Sequence, residues 1–371
     1  MKGLEIIAFY LPQYHPFREN DEWWGKGFTE WTNVGKAKPL FKGHNQPRIP
    51  TELGYYDLRL PIVREQQAQM AREAGVTAFC YWHYWFGNGK RLIPEVFDEV
   101  LESGNPDFPF CLGWANHSWF AKNWNANGTT IDKLLIEQTY PGIEDEMMHF
   151  NFLLKAFNDP RYVKIDGKPL LYIFDPISIP KEYIRNFKKW TVEAGLPGLH
   201  LVANITSPSV KKDVLISEGF DSVSYQRLGG LKNATLKKIG VNGSRLFALW
   251  RKVKSAINRR PPFMYDYADY YHELINEIDK EENVIPTLLP QWDHTPRSGW
   301  NGTFLVNATP ELFYHHCNDV LDIVKNKNNK IVFLKSWNEW GEGNMMEPDM
   351  TYGRGFIDSL RKAIEEYKCE R

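Results

Sequence analysis

The fold of this chain is decided by residues 331–343, which read Ile-Val-Phe-Leu-Lys-Ser-Trp-Asn-Glu-Trp-Gly-Glu-Gly. The first four residues are apolar and predict a buried parallel strand. The strand runs into Glu339 and Glu342, two carboxylates three residues apart beside Trp337 and Trp340. One carboxyl can donate a proton to a glycosidic oxygen while the other acts on the sugar, and indole faces can stack on the sugar. The stretch therefore predicts a sugar-processing acid pair; a strand-to-loop junction with solvated acids is the alternative.

Seven more apolar runs precede this stretch and alternate with helical patterns. Strands are predicted at residues 6–10, 76–83, 110–117, 169–175, 199–204, 221–226 and 284–291, with the eighth at 330–336. Apolar residues at helical spacing mark 62–74, 94–101, 146–157, 181–194 and 355–367. Eight strands alternating with helices over 371 residues predict one α/β domain, a (β/α)8 TIM barrel with long βα loops.

Each predicted strand is apolar at its start and polar at its end, and the carboxyl ends of barrel strands are where catalytic groups gather. A doubly wound sheet would share the alternation but gives no reason for polar groups at nearly every strand end. The candidates for sugar contacts are Tyr14, His83, Trp85, Asn116, Trp119, Tyr172, Asn204, Gln291, Trp292, Asp293, Trp337 and Asn338. For each of them a structural role is an equally good explanation, because buried polar groups must be paired in any case.

The segment after the first strand, residues 16–60, is unusually long for a connection. Loops of this length are usually functional or disordered. Its aromatic residues, which include Trp23, Trp24 and Trp31, favour an ordered cover over the mouth of the barrel.

Residues 227–262 differ in charge from the rest of the chain and are interpreted as a basic insertion. They contain ten Lys and Arg residues and no Asp or Glu. Apolar residues at helical spacing predict a basic amphipathic helix over about 245–260. The favoured interpretation is a helix packed on the barrel with a solvated basic face. The alternative is contact with an anionic membrane or a lipid-linked glycan through 245–260.

Composition excludes several other classes of protein. A net charge of −1 gives no global attraction to nucleic acid. The sequence has four cysteines without a Cys-x-x-Cys pair, no secretory leader and no apolar run of membrane-spanning length. These features predict a reduced, cytoplasmic protein. If the basic segment binds lipid, the protein would be membrane-peripheral. No metal-ligand ladder, P-loop or dinucleotide fingerprint occurs, so neither a metal nor a cofactor is expected.

The motifs also carry a family resemblance. They are Ala8-Phe9-Tyr10-Leu11-Pro12-Gln13-Tyr14-His15, Gly27-Phe28-Thr29-Glu30-Trp31, Pro39-Leu40-Phe41-x-Gly43-His44-x-Gln46-Pro47, Trp82-His83-Tyr84-Trp85, Trp114-Ala115-Asn116 and Trp337-Asn338-Glu339-Trp340-x-Glu342. Over nearly its whole length the chain resembles the WbsX-like family of polysaccharide-biosynthesis glycosyltransferases. Through the barrel and the final Glu-x-x-Glu it is similar to glycoside hydrolase family 99, the endo-α-mannosidases and endomannanases.

The family 99 resemblance implies a metal-independent, endo-acting and retaining enzyme. Glu339 would be the base that deprotonates the substrate's own 2-hydroxyl to give a 1,2-anhydro sugar, and Glu342 would be the general acid. Glu342 would then need a raised pKa, which burial beside Trp340 could supply, while Glu339 stays ionised. The sugar itself is left open, because the basic insertion has no counterpart in that family.

Three functions are compatible with these observations. The favoured one is a glycoside hydrolase that acts inside an oligo- or polysaccharide. A glycosyltransferase of surface polysaccharide assembly (O-antigen or capsule) is the alternative, and it would require a donor site for which no phosphate-binding motif is present. The third is a non-catalytic sugar-binding barrel, against which the two spaced acids argue.

Overall fold

The structure, a computed structural model, describes residues 3–124, 130–231, 253, 257, 260–261 and 263–369. Most of the basic insertion predicted at 227–262, and with it most of the segment 245–260, lies outside the described residues. Among the residues that are described, no helix is both long and apolar enough to cross a bilayer.

Eight parallel strands form the barrel. They are β1 (Glu5–Tyr10), β2 (Ala78–Trp85), β3 (Phe110–Trp114), β4 (Lys168–Ile173), β5 (His200–Ile205), β6 (Ser222–Tyr225), β7 (Thr287–Leu288) and β8 (Ile331–Leu334). Neighbours pair in the order β6-β5-β4-β3-β2-β1-β8-β7. The ring closes at Val223, whose N–H donates to the Asn283 carbonyl and whose carbonyl accepts from Ile285, both at 2.8 Å. The predicted (β/α)8 barrel is confirmed.

Helices surround the barrel and also shape its mouth. In the described part of the chain the α-helices are α1 (Arg18–Trp24), α2 (Glu30–Lys36), α3 (Pro61–Ala74), α4 (Glu95–Ser103), α5 (Ile143–Phe157), α6 (Lys181–Glu193), α7 (Lys212–Ser217), α8 (Tyr267–Tyr270), α9 (Thr295–Ser298), α10 (Pro310–Lys325) and α11 (Gly355–Cys369). Short strand pairs lie in the loops: Trp119–Trp124 with Thr130–Ile136, Met264–Asp266 with Phe304–Val306, and Asn338–Glu339 with Asn344–Met345, while Arg91–Leu92 pairs with β2 and Lys164–Ile165 with β4.

The strands exist because their apolar runs are buried on both sides, as parallel sheets require. Inside the barrel, the Phe9 ring stacks on Trp82 with centroids 4.9 Å apart and meets Tyr172 edge-on at 4.9 Å. Phe333 from β8 closes this aromatic layer at 5.2 Å from Phe9. The layer fills the barrel beneath the mouth, so any ligand must bind above it.

The segment between β1 and α3 is an ordered cover, as its aromatic content predicts. Trp31 on α2 lies 5.5 Å from the ring of Trp340 and donates through Nε1 to the Tyr56 carbonyl at 2.7 Å. His44 and Gln46 bind the Asp293 carboxylate beyond the end of β7, at 2.9 and 2.6 Å. The cover is therefore fastened to two sides of the mouth.

Candidate active site

A tight hairpin at the end of β8 places the two predicted acids. Asn338 and Glu339 pair antiparallel with Met345 and Asn344, and a 3-10 turn over Trp340–Glu342 lies between them. The hairpin is tied to the end of β1, because the Asn338 amide accepts from the Leu11 N–H at 2.7 Å and donates to its carbonyl at 3.0 Å. The spacing of three residues therefore brings both carboxyl groups to one side of the turn.

One guanidinium joins the acids. Arg297 on α9 donates through Nη1 to Glu342 at 2.8 Å and through Nη2 to Glu339 at 2.7 Å. The same Nη2 lies 2.9 Å from a third carboxylate, that of Glu30 at the start of α2. Since one flat group contacts all three acids, Glu339 and Glu342 face the same space. We call Glu339 and Glu342 the acid pair.

The acid pair is electrostatically uneven. Burial, and next the negative charge of Glu342, raise the pKa of Glu339 to about 7 against the opposing effect of Arg297. Burial also pushes the pKa of Glu342 upward, but the positive charges of Arg297 and Lys335 outweigh it and lower that pKa below its ordinary value. This order is the reverse of the one that the family 99 resemblance implies.

A second cation, Lys335, follows β8 directly. Its Nζ lies 5.2 Å from the centre of the Trp292 ring, a cation–π distance. Burial lowers the pKa of Lys335, and the charges of Glu342 and Glu339 oppose that effect. The Trp292 ring is nearly parallel to His294, whose Nε2 lies 3.7 Å from Glu342. Trp292 and the cations thus form one wall beside Glu342.

Two tyrosines lie on the Glu339 side. The Tyr14 hydroxyl accepts from the Trp340 N–H at 2.9 Å and so supports the turn from below. Tyr84 accepts from the Gln13 amide at 2.8 Å. Burial and then the charge of Glu339 raise the pKa of both hydroxyls, so both remain protonated and neutral.

Two glycines in the turn are required because neighbouring groups lie too close to leave room for a side chain. A Cβ on Gly341 would lie 2.5 Å from Glu30 Oε2 and 3.0 Å from Arg297 Nε, so the ion pair passes directly over this residue. Gly343 has φ +55°, and a Cβ there would lie 2.7 Å from the Asp293 Cβ. The sequence Glu-Trp-Gly-Glu-Gly is thus shaped by what packs on the turn as well as by its acids.

Five predicted residues lie around the space above the aromatic layer or at its wall. Tyr14 and Trp292 flank the acid pair as described above, and Tyr172 belongs to the aromatic layer itself. Trp119 meets Tyr84, one of the tyrosines on the Glu339 side, edge-on at 5.2 Å. Gln291 follows β7 and donates to the Met345 carbonyl at 3.0 Å, which ties it to the turn.

Buried oxygens in this region have no hydrogen-bond partner within the described part of the chain. Two of them, Asn204 Oδ1 and Gln291 Oε1, belong to residues predicted to contact sugar. Asn204 donates through its other amide atom to the Phe174 carbonyl at 3.0 Å. A free buried oxygen at a strand end is suited to a sugar hydroxyl or an ordered water.

The structure turns the remaining predicted residues to other contacts. His83 and Trp85 face α5: His83 lies 2.9 Å from His149, and the Trp85 ring stacks on His149 at 4.6 Å. Asn116 bonds Tyr140 and both backbone groups of Asp175. Asn338 hydrogen-bonds Leu11, Asp293 hydrogen-bonds the cover through Gln46, and Trp337 is fully buried. These six side chains are engaged in the framework rather than directed at the acid pair.

Arg297, Glu30 and Lys335 were not predicted as site residues. Glu30 lies in the quoted Gly-Phe-Thr-Glu-Trp motif, which was the one available signal. Arg297 carries no such sequence signal, since it follows a proline on a four-residue helix in an irregular loop. Its partners are 42, 45 and 267 residues away in sequence, so only the closed barrel reveals the contact.

The group that joins the two acids is a cation, the guanidinium of Arg297. Among the described residues, no group of three or more His, Cys, Asp or Glu side chains could hold a metal ion. A guanidinium already occupies the space between the carboxylates, where a divalent cation would have to bind. The arrangement suits proton transfer by carboxyl groups.

Comparison with known proteins adds family and fold. Residues 6–360 match the family model described as Glycosyltransferase WbsX. Two proteins of Xanthomonas campestris pv. campestris, both called "Uncharacterized protein WxcX", are 32% identical over 366 residues and 33% identical over 371 residues. Each alignment covers 97% of this chain and 49% of the relative, so the chain spans about half the length of the curated relatives it matches.

Solved structures share the fold at low sequence identity. The GH99 endo-alpha-mannosidase from Bacteroides thetaiotaomicron has a TM-score of 0.57 and 15% identity, with 99% of this chain and 98% of that chain covered. A structure described as "Glycoside hydrolase-like protein" has a TM-score of 0.58 and 15% identity, with 99% and 94% covered.

Proposed function

The chain belongs to the WbsX glycosyltransferase family, and we propose that it is a glycoside hydrolase that cleaves inside an oligo- or polysaccharide chain. The observation that carries this proposal is the meeting of Glu339 and Glu342 on one guanidinium at the mouth of the barrel. A glycosidase of the usual kind needs two carboxyl groups that face one space and differ in proton affinity. The family 99 fold of the solved relatives supports the choice as a fold analogy.

The roles follow from which carboxylate a substrate reaches first. The Glu342 side chain is 18% exposed and that of Glu339 is 8% exposed, so an entering glycosidic oxygen displaces Arg297 from Glu342. Burial then acts on Glu342 without its main opposing charge, so its pKa rises and it becomes the proton donor. Arg297 keeps its Nη2 contact with Glu339, and this contact favours ionised Glu339 as the base.

The reaction then proceeds with retention. Glu339 takes the proton of the substrate's 2-hydroxyl, whose oxygen attacks the anomeric carbon as the bond to the leaving oxygen breaks. Glu342 protonates that leaving oxygen. Water opens the resulting 1,2-anhydro sugar, with the two carboxyls in exchanged roles. Trp292 and Trp119 are the stacking surfaces, and the free oxygens of Asn204 and Gln291 accept from sugar hydroxyls.

The test is a panel of bacterial polysaccharides and oligosaccharides assayed for new reducing ends, with and without nucleotide sugars. We expect new reducing ends without any nucleotide sugar, and none from the variant Glu339→Gln. Product chains that grow only when a nucleotide sugar is added would replace the hydrolase by the second candidate.

That second candidate is a glycosyltransferase, and the description of the matching family favours it. The acid pair would then activate an acceptor hydroxyl, and the donor would have to bind beside Lys335 and Arg297. Release of free nucleotide together with an acceptor one sugar longer is the measurement that separates the two.

A further inference from the structure

Charge is nearly balanced around the acid pair. Three carboxylates, those of Glu30, Glu339 and Glu342, face two cations, Arg297 and Lys335, and His294 Nε2 lies 3.7 Å from Glu342. When all are ionised, the three carboxylates and two cations together carry one negative charge in excess. A single proton on the acid pair cancels that excess, and one shared proton is also what an acid–base pair needs in order to work.

We infer that Glu30 and Arg297 are positioning residues that hold the number of protons on the acid pair at one. The inference rests on the proposed function and assigns these two side chains a role in it that their sequence positions do not suggest. Neither residue needs to touch substrate: Glu30 acts through Arg297, and Arg297 acts through its contacts with Glu339 and Glu342.

The geometry supports a dedicated role for Glu30. Its side chain is 10% exposed and is held over Gly341, where only a glycine leaves room for it. Because it shares Nη2 of Arg297 with Glu339, it competes for the same hydrogen-bond donor. Its charge therefore weakens the effect of Arg297 on Glu339 and keeps that carboxyl easy to protonate.

The other ionisable groups near the acid pair are either neutral, separated from the pair, or already counted. The pKa values of the Tyr14 and Tyr84 hydroxyls are raised by burial, so both are neutral. Glu347, on the far side of the Trp340 ring, accepts the indole N–H and is separated from the pair by that ring. Lys335 supplies the second cation from the end of β8.

Removal of either positioning residue therefore shifts the activity profile in a direction set by its charge. The active form carries one proton, so the ascending and descending limbs of kcat/KM report its two macroscopic pKa values. Glu30→Gln removes a negative charge and should move both limbs to lower pH by about one unit. Arg297→Gln removes a positive charge and should move both limbs to higher pH by about one unit or more.

Two further variants distinguish charge from structure. Arg297→Lys keeps the charge but loses the planar fork, so the limbs should return toward their wild-type positions while kcat stays low. The double variant Glu30→Gln/Arg297→Gln restores the original net charge and should bring the limbs back between those of the single variants. Matched controls are Asp358→Asn and Arg361→Gln, an exposed ion pair on α11, whose limbs should not move.

A titration that needs no turnover completes the test. Carbon-13 NMR of the glutamate carboxyls, in the full chain of the wild type and each variant, should show the same opposite shifts. The inference would be overturned if the limbs of the kcat/KM profile moved in the same direction for both single variants. It would also be overturned if they moved no further than in the controls, even if the enzyme is active. Opposite shifts in the titration of a protein that cleaves no glycan would uphold the charge balance and reject the hydrolase instead.

Discussion

At the scale of single residues, Glu339 and Glu342 should fail differently. Glu342→Gln should lower activity on natural glycans at least ~10²-fold but spare substrates with good leaving groups, because such groups need little protonation. Glu339→Gln should abolish activity on both kinds of substrate, because no other described side chain is placed to deprotonate the 2-hydroxyl. Parallel kcat measurements on a natural glycan and an aryl glycoside of the same sugar would show the contrast.

A substrate methylated at the 2-hydroxyl is the check on this mechanism. It should bind but not react, since the attacking oxygen no longer carries a proton. Normal turnover of the methylated substrate would show that Glu339 attacks directly or activates water, and a double-displacement or inverting mechanism would take the place of the one proposed.

Gly341 gives a second prediction at this scale. The variant Gly341→Ala adds one methyl group that must displace the Glu30–Arg297 ion pair, so it should lower kcat. The free energy of unfolding should fall by only about 1–3 kcal/mol, as for overpacking of one methyl group. An alanine variant with unchanged kcat would mean that the ion pair moves aside without consequence.

The acids themselves were predictable, but their surroundings were not. A strand that ends in Glu-x-x-Glu between tryptophans carries its chemistry in adjacent residues, so local sequence is enough. Arg297 depends on a contact between two loops of a closed barrel. His83 and Trp85 follow a strand pattern correctly, yet they point to α5, because the sequence shows that a polar residue lies near a strand end but not toward which face it turns.

At the scale of elements, the cover depends on Asp293. Its carboxylate accepts from His44, Gln46 and Thr295, and these bonds lower the pKa of Asp293 in spite of its burial. Asp293→Asn should loosen the cover, because hydrogen bonds to a charged acceptor are worth about 1.5–3 kcal/mol each. We expect a higher KM, a lower kcat and faster proteolysis within residues 16–60.

The control for that variant lies in the same segment. Asp57→Asn breaks an ion pair with Arg59 whose arginine is 54% exposed, and exposed pairs contribute little. Equal proteolysis of the two variants would show that the carboxylate of Asp293 does not fasten the cover.

Most element boundaries follow from periodicity, and the exceptions have a local cause. The predicted seventh strand at 284–291 shrinks to Thr287–Leu288 with a bridge at Val284. Pro286 and Pro290 interrupt it, and a proline has no N–H to donate to a neighbouring strand. The apolar run is still a barrel strand in position, but it forms few ladder bonds of its own.

At the scale of the whole molecule, stability should fall as pH rises from about 4.5 to about 7. Burial raises the pKa of Glu347 from 4.5 to about 7, although Trp340, Gln67 and Tyr56 donate to it. The folded state therefore binds this proton more tightly than the unfolded state, and the stabilisation present below about pH 4.5 is lost by about pH 7. At about 1.4 kcal/mol per pKa unit, the loss is on the order of 3 kcal/mol.

Glu347→Gln removes this ionisable group and tests the dependence of stability on pH. Melting temperatures of wild type and variant should converge, or cross in favour of the variant, between pH 5 and pH 8. The difference between the two curves is the measurement, because the glutamine also alters the three hydrogen bonds at every pH. A constant difference across that range would place the pKa of Glu347 near its ordinary value.

Metal independence is the last prediction at this scale. Chelation with EDTA should leave glycan cleavage unchanged, since Arg297 already occupies the space between the acids that an ion would need. Loss of activity that a divalent ion restores would remove the carboxylate mechanism. Prior dialysis against chelator, followed by assays with added Mg²⁺, Ca²⁺, Mn²⁺ or Zn²⁺, makes the comparison complete.

The pair of hydrogen bonds between Leu11 and Asn338 also has a consequence for synthesis of the chain. The two residues are 327 positions apart, and β1 pairs directly with β8. At about 5–20 residues per second, a ribosome needs roughly 15 seconds to a minute to produce the second after the first. Until then the nascent chain can form neither the contact between β1 and β8 nor the turn that brings the two carboxyl groups together.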